Sequence, residues 1–122
     1  MDLVHRPAPR LALAALAAAG VASGVAGCGA HGQPAALEAC KSYANGTSGV
    51  QTAGQRDALL TDAQRWAAKA AAKAPQWTVL VQAIRDYRSA ADADQSSRRT
   101  RQRLADAEAL IRNSCELAAR GY

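Results

Sequence analysis

The chain has 122 residues, 49% of them hydrophobic and 20% charged, with a formal net charge of +5. That length fits one small domain and excludes a multidomain architecture. Only two histidines, His5 and His31, are present, so no histidine-centred catalytic arrangement is evident. No metal-ligand set appears at recognisable spacing. Alanine is abundant and phenylalanine absent, which favours helix and predicts a thin core. No stretch alternates in the manner of a strand, so the expected class is all-α.

The first zone, residues 1–10, carries Arg6 and Arg10 against Asp2. Residues 11–27, LALAALAAAGVASGVAG, hold no charge. A basic start, a short apolar run and small residues before a cut site mark a secretory signal peptide. A transmembrane helix is the competing reading. A span takes about 20 strongly apolar residues, and this run is shorter and rich in alanine and glycine. The run ends in Val25-Ala26-Gly27-Cys28, which resembles the lipobox of bacterial lipoproteins. The resemblance implies that the Cys28 thiol receives a diacylglycerol carrying fatty acyl chains such as palmitate. It also implies cleavage that leaves Cys28 as the first mature residue. An ordinary secreted protein, cut nearby and not lipidated, is the alternative.

On this reading residues 1–27 are signal peptide, 28–36 the lipidated cysteine and a tether, and 37–122 a helical domain. Cleavage removes Arg6, Arg10 and Asp2, leaving 95 residues and a charge of +4. The composition, the lipobox and two later cysteines resemble small Ala/Arg-rich lipoproteins of high-GC bacteria. That likeness implies anchorage by lipid on the extracytoplasmic face of the cell membrane.

Lipidation of Cys28 accounts for the odd cysteine count and leaves Cys40 and Cys115. Outside the cytoplasm they are expected to form a disulfide; the alternative is two buried thiols.

The first helix is predicted to start near Pro34, a residue suited to a first turn. Leu37, Cys40 and Ala44 share a face, and Asn45-Gly46 stops it. After the loop 45–54, Thr52 and Gln55 have capping-box spacing. A second helix is predicted over 53–73, with Leu59, Ala63, Trp66 and Ala70 as its apolar face. Pro75 ends it and pushes Ala74 out of the α region. A third is predicted over 76–92, with Trp77, Leu80, Ile84, Tyr87 and Ala91 as its stripe. A fourth is predicted over 96–119, with a face of Leu104, Ile111, Cys115 and Ala118.

The third and fourth helices meet at AADADQSS, which has no glycine or proline. Asp92, Asp94, Ser96 and Ser97 suit a turn, but one continuous helix is the alternative. In an up-down-up-down four-helix bundle, Cys40 and Cys115 lie at similar heights above one end. In a continuous rod they lie far apart. The expected fold is therefore a small up-down four-helix bundle with a short first helix and one disulfide.

The sharpest local feature is SSRRTRQR, with Arg98, Arg99, Arg101 and Arg103. Such a run suits a polyanion. Export disfavours nucleic acid and points to an anionic wall polymer or an envelope protein. A solvated face paired with Asp92, Asp94, Asp106 and Glu108 is the plainer alternative. Trp66, Trp77, Tyr43 and Tyr87 either form the core or line a pocket for a small apolar ligand. No enzymatic constellation, cofactor motif or metal site emerges. The expected role is a binding or structural module of the cell envelope.

Overall fold

The computed structural model describes residues 31–121. The signal-like segment and Cys28 lie outside the described residues. Four α-helices follow one another: α1 (Gln33–Gly46), α2 (Ala53–Lys73), α3 (Thr78–Ala91) and α4 (Arg98–Arg120). A 3-10 turn, Pro75–Trp77, precedes α3, and no strand occurs among the described residues. Each helix packs on its neighbours in sequence, and α1 meets α4 to complete the ring. This is an up-down four-helix bundle.

Local chemistry explains the boundaries. Thr52 caps α2: its Oγ1 accepts from the Gln55 amide at 3.1 Å, while Gln55 Oε1 accepts from the Thr52 amide at 2.9 Å. The two bonds satisfy donors that the first turn of a helix leaves unpaired. Ala74, ahead of Pro75, is extended at φ −151° and ψ 127°, and α2 stops there.

The join between α3 and α4 is a turn, so the two helices are separate. Asp94 accepts from the Ser96 amide at 2.9 Å and from the Ser96 hydroxyl at 2.8 Å. These bonds hold the Asp94 carboxyl below its ordinary pKa. Gln95 Nε2 donates to the Ala90 carbonyl at 2.7 Å, closing the end of α3. Ser97 Oγ accepts from the Thr100 amide at 3.3 Å, opening α4. The fourth helix thus begins two residues later than the pattern predicts, because serines 96 and 97 serve the turn and the cap.

α1 starts at Gln33, beside the Pro34 that marks its first turn in the sequence. Residues 33–36, placed in the tether by sequence, are helical, and Ala35 and Ala36 are buried. Gly32 makes this possible. It adopts φ +76°, and a Cβ there would lie 2.6 Å from the Ala70 carbonyl oxygen and 2.9 Å from Trp77 Cδ1. Only glycine combines that conformation with so close an approach. Trp77 Nε1 donates to the His31 carbonyl at 3.0 Å, and Gln33 Nε2 donates to the Ala118 carbonyl at 2.7 Å. The entry of the chain is therefore fastened to the α2–α3 turn and to the end of α4.

Trp77, Leu80, Ile84 and Ile111 are the largest fully buried side chains. Alanine fills most of what remains: Ala36, Ala39, Ala63, Ala67, Ala70 and Ala83 are each wholly buried. Several predicted faces are turned by about one residue. In α2 the buried line is Leu60, Ala63, Ala67 and Ala70, while Leu59 and Trp66 are half-buried beside it. Lys69 sits over the Trp66 ring at 4.5 Å, a cation–π contact at the surface. In α1, Ala35, Ala36 and Ala39 face inward, Cys40 is half-buried, and Leu37 and Ala44 are exposed. In α3, Ala83 and Ala90 join Leu80 and Ile84, whereas Tyr87 is half-buried and Ala91 exposed. In α4, Ala107, Ile111, Ser114 and Ala118 are buried and Leu104 and Cys115 half-buried.

Cys40 and Cys115 form a disulfide, with Cα atoms 5.8 Å apart across 75 positions of sequence. It joins α1 to α4, the neighbouring pair with the least mutual contact in the ring. Replacing both cysteines by serine removes a constraint on the unfolded chain worth up to about 4.5 kcal/mol in the loop-closure model. The double variant is expected to unfold at markedly lower urea concentration than the oxidised protein. Coincident denaturation midpoints would show that the bridge does not carry this stability.

Candidate functional site

Three places on the bundle carry polar chemistry. The first is the start of α4. Arg98, Arg99, Arg101 and Arg103 are all exposed. None forms an ion pair within 4.0 Å among the described residues; the pairs there are Lys41–Glu38, Arg65–Asp62 and Arg88–Asp57. The four are solvated, as the plainer alternative has it, but without the partial pairing to Asp92, Asp94, Asp106 or Glu108. Asp94 is engaged by Ser96, and Asp106 accepts from Gln102 at 2.9 Å.

The four arginines are not equivalent. Arg101 Nη1 folds back to the Gln95 and Ser96 carbonyls, at 2.8 and 2.9 Å. It closes the α3–α4 turn. Arg103 reaches the Ser89 hydroxyl at 3.5 Å, a long and weak contact. Arg98 and Arg99 donate to no described side chain or carbonyl. No acidic residue occupies the first turn of α4, so the cations there oppose the helix dipole. The free charge is carried by Arg98, Arg99 and Arg103, at the bundle end away from His31.

The second place lies between α2 and α3 at that same end. Arg88 donates to Asp57 Oδ1 at 2.9 Å, Gln64 Oε1 at 2.9 Å and Thr61 Oγ1 at 3.1 Å. This guanidinium clamps α3 to α2 through three hydrogen bonds. A cavity of about 170 Å³ beside it is lined by Arg56, Leu60, Tyr87 and Asp92, among others.

The third place is an open groove of about 570 Å³ between α1 and α4. Its lining is the Cys40–Cys115 disulfide, Tyr43, Ala44 and Ile111, with Glu108 and Arg112 alongside. Tyr43 meets Tyr87 edge to face, ring centroids 5.2 Å apart. Burial pushes the Tyr43 hydroxyl far above its ordinary pKa, Tyr87 and the Glu108 carboxylate push the same way, and Arg112 opposes them weakly. Tyr87 is raised as well, by burial and then by Glu108. Both phenols are neutral over any physiological pH. Of the four aromatics read as core or pocket lining, Tyr43 lines the groove and Tyr87 the cavity, Trp66 and Trp77 line neither, and Trp77 is sealed in the core at 1% exposure.

The arginine run and the two cysteines are where sequence puts them. Glu108 was named only as a partner for the arginine run, and Arg112 was not singled out. A signal for them exists: once Cys40 is joined to Cys115, Tyr43 lies one turn beyond one cysteine, and Arg112, Ile111 and Glu108 lie one to two turns before the other. Among the described residues, no group of histidine, cysteine, aspartate and glutamate is placed to hold a metal ion. No helix there is long and apolar enough to cross a membrane. No protein-family model, curated protein or solved structure matches the chain.

The raised Tyr43 value makes stability pH-dependent. Below its ordinary value of 10.0 the phenol is neutral in both folded and unfolded chains, so its contribution is fully present. Above that value the unfolded chain releases the proton first, and stability falls as pH rises towards the folded value. Urea denaturation from about pH 8 to about pH 11 is expected to show a steeper loss in the native protein than in Tyr43→Phe. Parallel curves for the two proteins would count against the assignment.

Proposed function

We propose that this chain is a lipid-anchored, extracytoplasmic helical module that presents the start of α4 to an anionic partner in the cell envelope. The observation that carries the reading is the partition of its cysteines. Cys40 and Cys115 are joined, which leaves Cys28 unpaired at the end of the lipobox-like Val25-Ala26-Gly27-Cys28. A disulfide suits an oxidising compartment, and a solitary thiol at a lipobox suits acylation. Two or more acyl chains on one residue give stable membrane attachment, where one holds only reversibly.

Chain direction gives the module its polarity. Gly29 and Ala30 alone separate Cys28 from His31. The described domain starts at the end where α4 finishes, and α4 runs 23 residues, about 34 Å, to the other end. Arg98, Arg99 and Arg103 therefore lie at the end remote from the point of chain entry. An anionic wall polymer or an acidic protein surface complements them, and such attraction weakens with salt.

Two experiments test the two halves. Mass spectrometry of the envelope-extracted protein is expected to find a diacylglycerol-modified Cys28 at the mature N-terminus; a soluble chain bearing an unmodified Cys28 favours the secreted, non-lipidated alternative. Binding to immobilised polyphosphate, used as a model polyanion, is expected to weaken when Arg98, Arg99 and Arg103 are together changed to glutamine. Arg101→Gln is expected to loosen the α3–α4 turn with a smaller effect on binding. Unchanged retention of the triple variant at low salt would retire the arginine end as the docking surface.

A further inference from the structure

We propose that the groove between α1 and α4 binds a small zwitterion with an apolar body, its ammonium held by Glu108 and its acid group by Arg112. The floor supplies the apolar contact: the Tyr43 ring, Ala44, Ile111 and the sulfurs of the Cys40–Cys115 bridge. Its volume of about 570 Å³ falls within the range of small-molecule sites. The groove exists because α1 and α4 touch less than the other neighbouring helices, while the disulfide holds them in register.

The two charges select the ligand class. Glu108 and Arg112 stand one turn apart on α4, the arrangement that often gives an ion pair. Here no pair forms within 4.0 Å, and neither side chain bonds to any other described residue; the ion pairs present join other residues. Both charges therefore face the groove unspent. Their backbone positions are separated by about 6 Å along the helix axis. An α-amino acid carries its ammonium and carboxylate on one carbon, and two flexible side chains one turn apart can each reach one of them with a charge-assisted hydrogen bond of about 2.8 Å. A purely apolar molecule would leave both charges partly desolvated and unpaired, and an anion or a cation would satisfy one and face repulsion from the other. Tyr43 adds a neutral hydroxyl that makes no hydrogen bond to a described residue. Its ring, with Ile111 and the bridge, favours an aromatic or branched aliphatic body.

The site is independent of the lipid anchor and of the arginine end, so its test does not depend on either. Chemical-shift titration of the purified, oxidised full-length chain compares phenylalanine with phenethylamine, which lacks the acid group, and 3-phenylpropionate, which lacks the ammonium. Phenylalanine is expected to bind saturably at millimolar concentration or below, with shifts centred on Tyr43, Ala44 and Ile111. Each single-charge analogue is expected to bind about tenfold more weakly, the loss that follows from one charged hydrogen-bonding partner. Glu108→Gln should abolish the preference for phenylalanine over 3-phenylpropionate, and Arg112→Gln the preference over phenethylamine. Both side chains are exposed, and unchanged thermal melts verify that the variants fold. The proposal is overturned by an absence of saturable shifts at phenylalanine concentrations on the order of 10 mM. It is also overturned by analogues that bind as well as phenylalanine, or by variants that keep the native preference.

Discussion

A bundle built on alanine has a constraint that larger side chains would remove. Of the fifteen buried hydrophobic residues described, ten are alanine, and alanine offers little apolar area to withdraw from water. What it offers is close approach. Gly46 of α1 shows how close: a Cβ there would sit 3.1 Å from Leu59 Cβ of α2. The α1–α2 pair is accordingly the tightest in the ring, and the α1–α4 pair the loosest. A ring of four helices needs its loosest seam held, and the Cys40–Cys115 bridge lies across that seam. It acts mainly by restricting the unfolded chain, so it compensates for a small apolar core without requiring the seam itself to be well packed. The groove between α1 and α4 follows from the same fact: a covalent tie permits a gap that packing alone would close.

Much of this was legible in the sequence, where the signals are local and steric. Thr52 with Gln55, Pro75, and the Asp94–Ser97 stretch mark boundaries through hydrogen-bonding and ring constraints that do not depend on the rest of the fold. The cysteine heights distinguished two separate helices from one rod, because a disulfide tolerates only a narrow range of Cα separations. The helix faces were less legible. A stripe is read from contrast, and a helix such as AAKAAAK (67–73) has alanine all round. The eye follows the large residues, Leu59 and Trp66, whereas the structure puts Ala67 and Leu60 inside and lets the bulky neighbours cover the edge. Leu37 misleads in the same way on α1. The packing of the chain entry was hidden for a different reason: Gly32 resembles a linker glycine, and its fit under Trp77 requires residues more than forty positions apart to be brought together.

The candidate sites divide along the same line. The arginine run is contiguous, so sequence locates it; its internal division of labour is tertiary. Arg101 serves backbone carbonyls of the preceding turn, a role no composition reveals. Glu108 and Arg112 gain meaning only when the bridge sets Tyr43 opposite them. A feature assembled from two helices is visible in sequence only after their pairing is known, and here the disulfide is the one pairing that sequence can supply.

The start of α4 departs from the charge pattern that would stabilise it. An acidic first turn would complement the helix dipole, yet this helix opens with two arginines and has no acid in its first turn. Ser97 supplies an ordinary cap, and Arg101 is partly compensated by the two carbonyls it meets. Arg98 and Arg99 receive no such compensation from the described residues. A local rule is thus broken twice in succession at the exposed start of α4, and the proposed docking role is the reading that would account for it. The same reasoning does not extend to Arg88, whose three hydrogen bonds to α2 make it part of the scaffold. The contrast between a guanidinium with three hydrogen bonds to a neighbouring helix and two with none to the described residues separates structural from available charge within one small bundle.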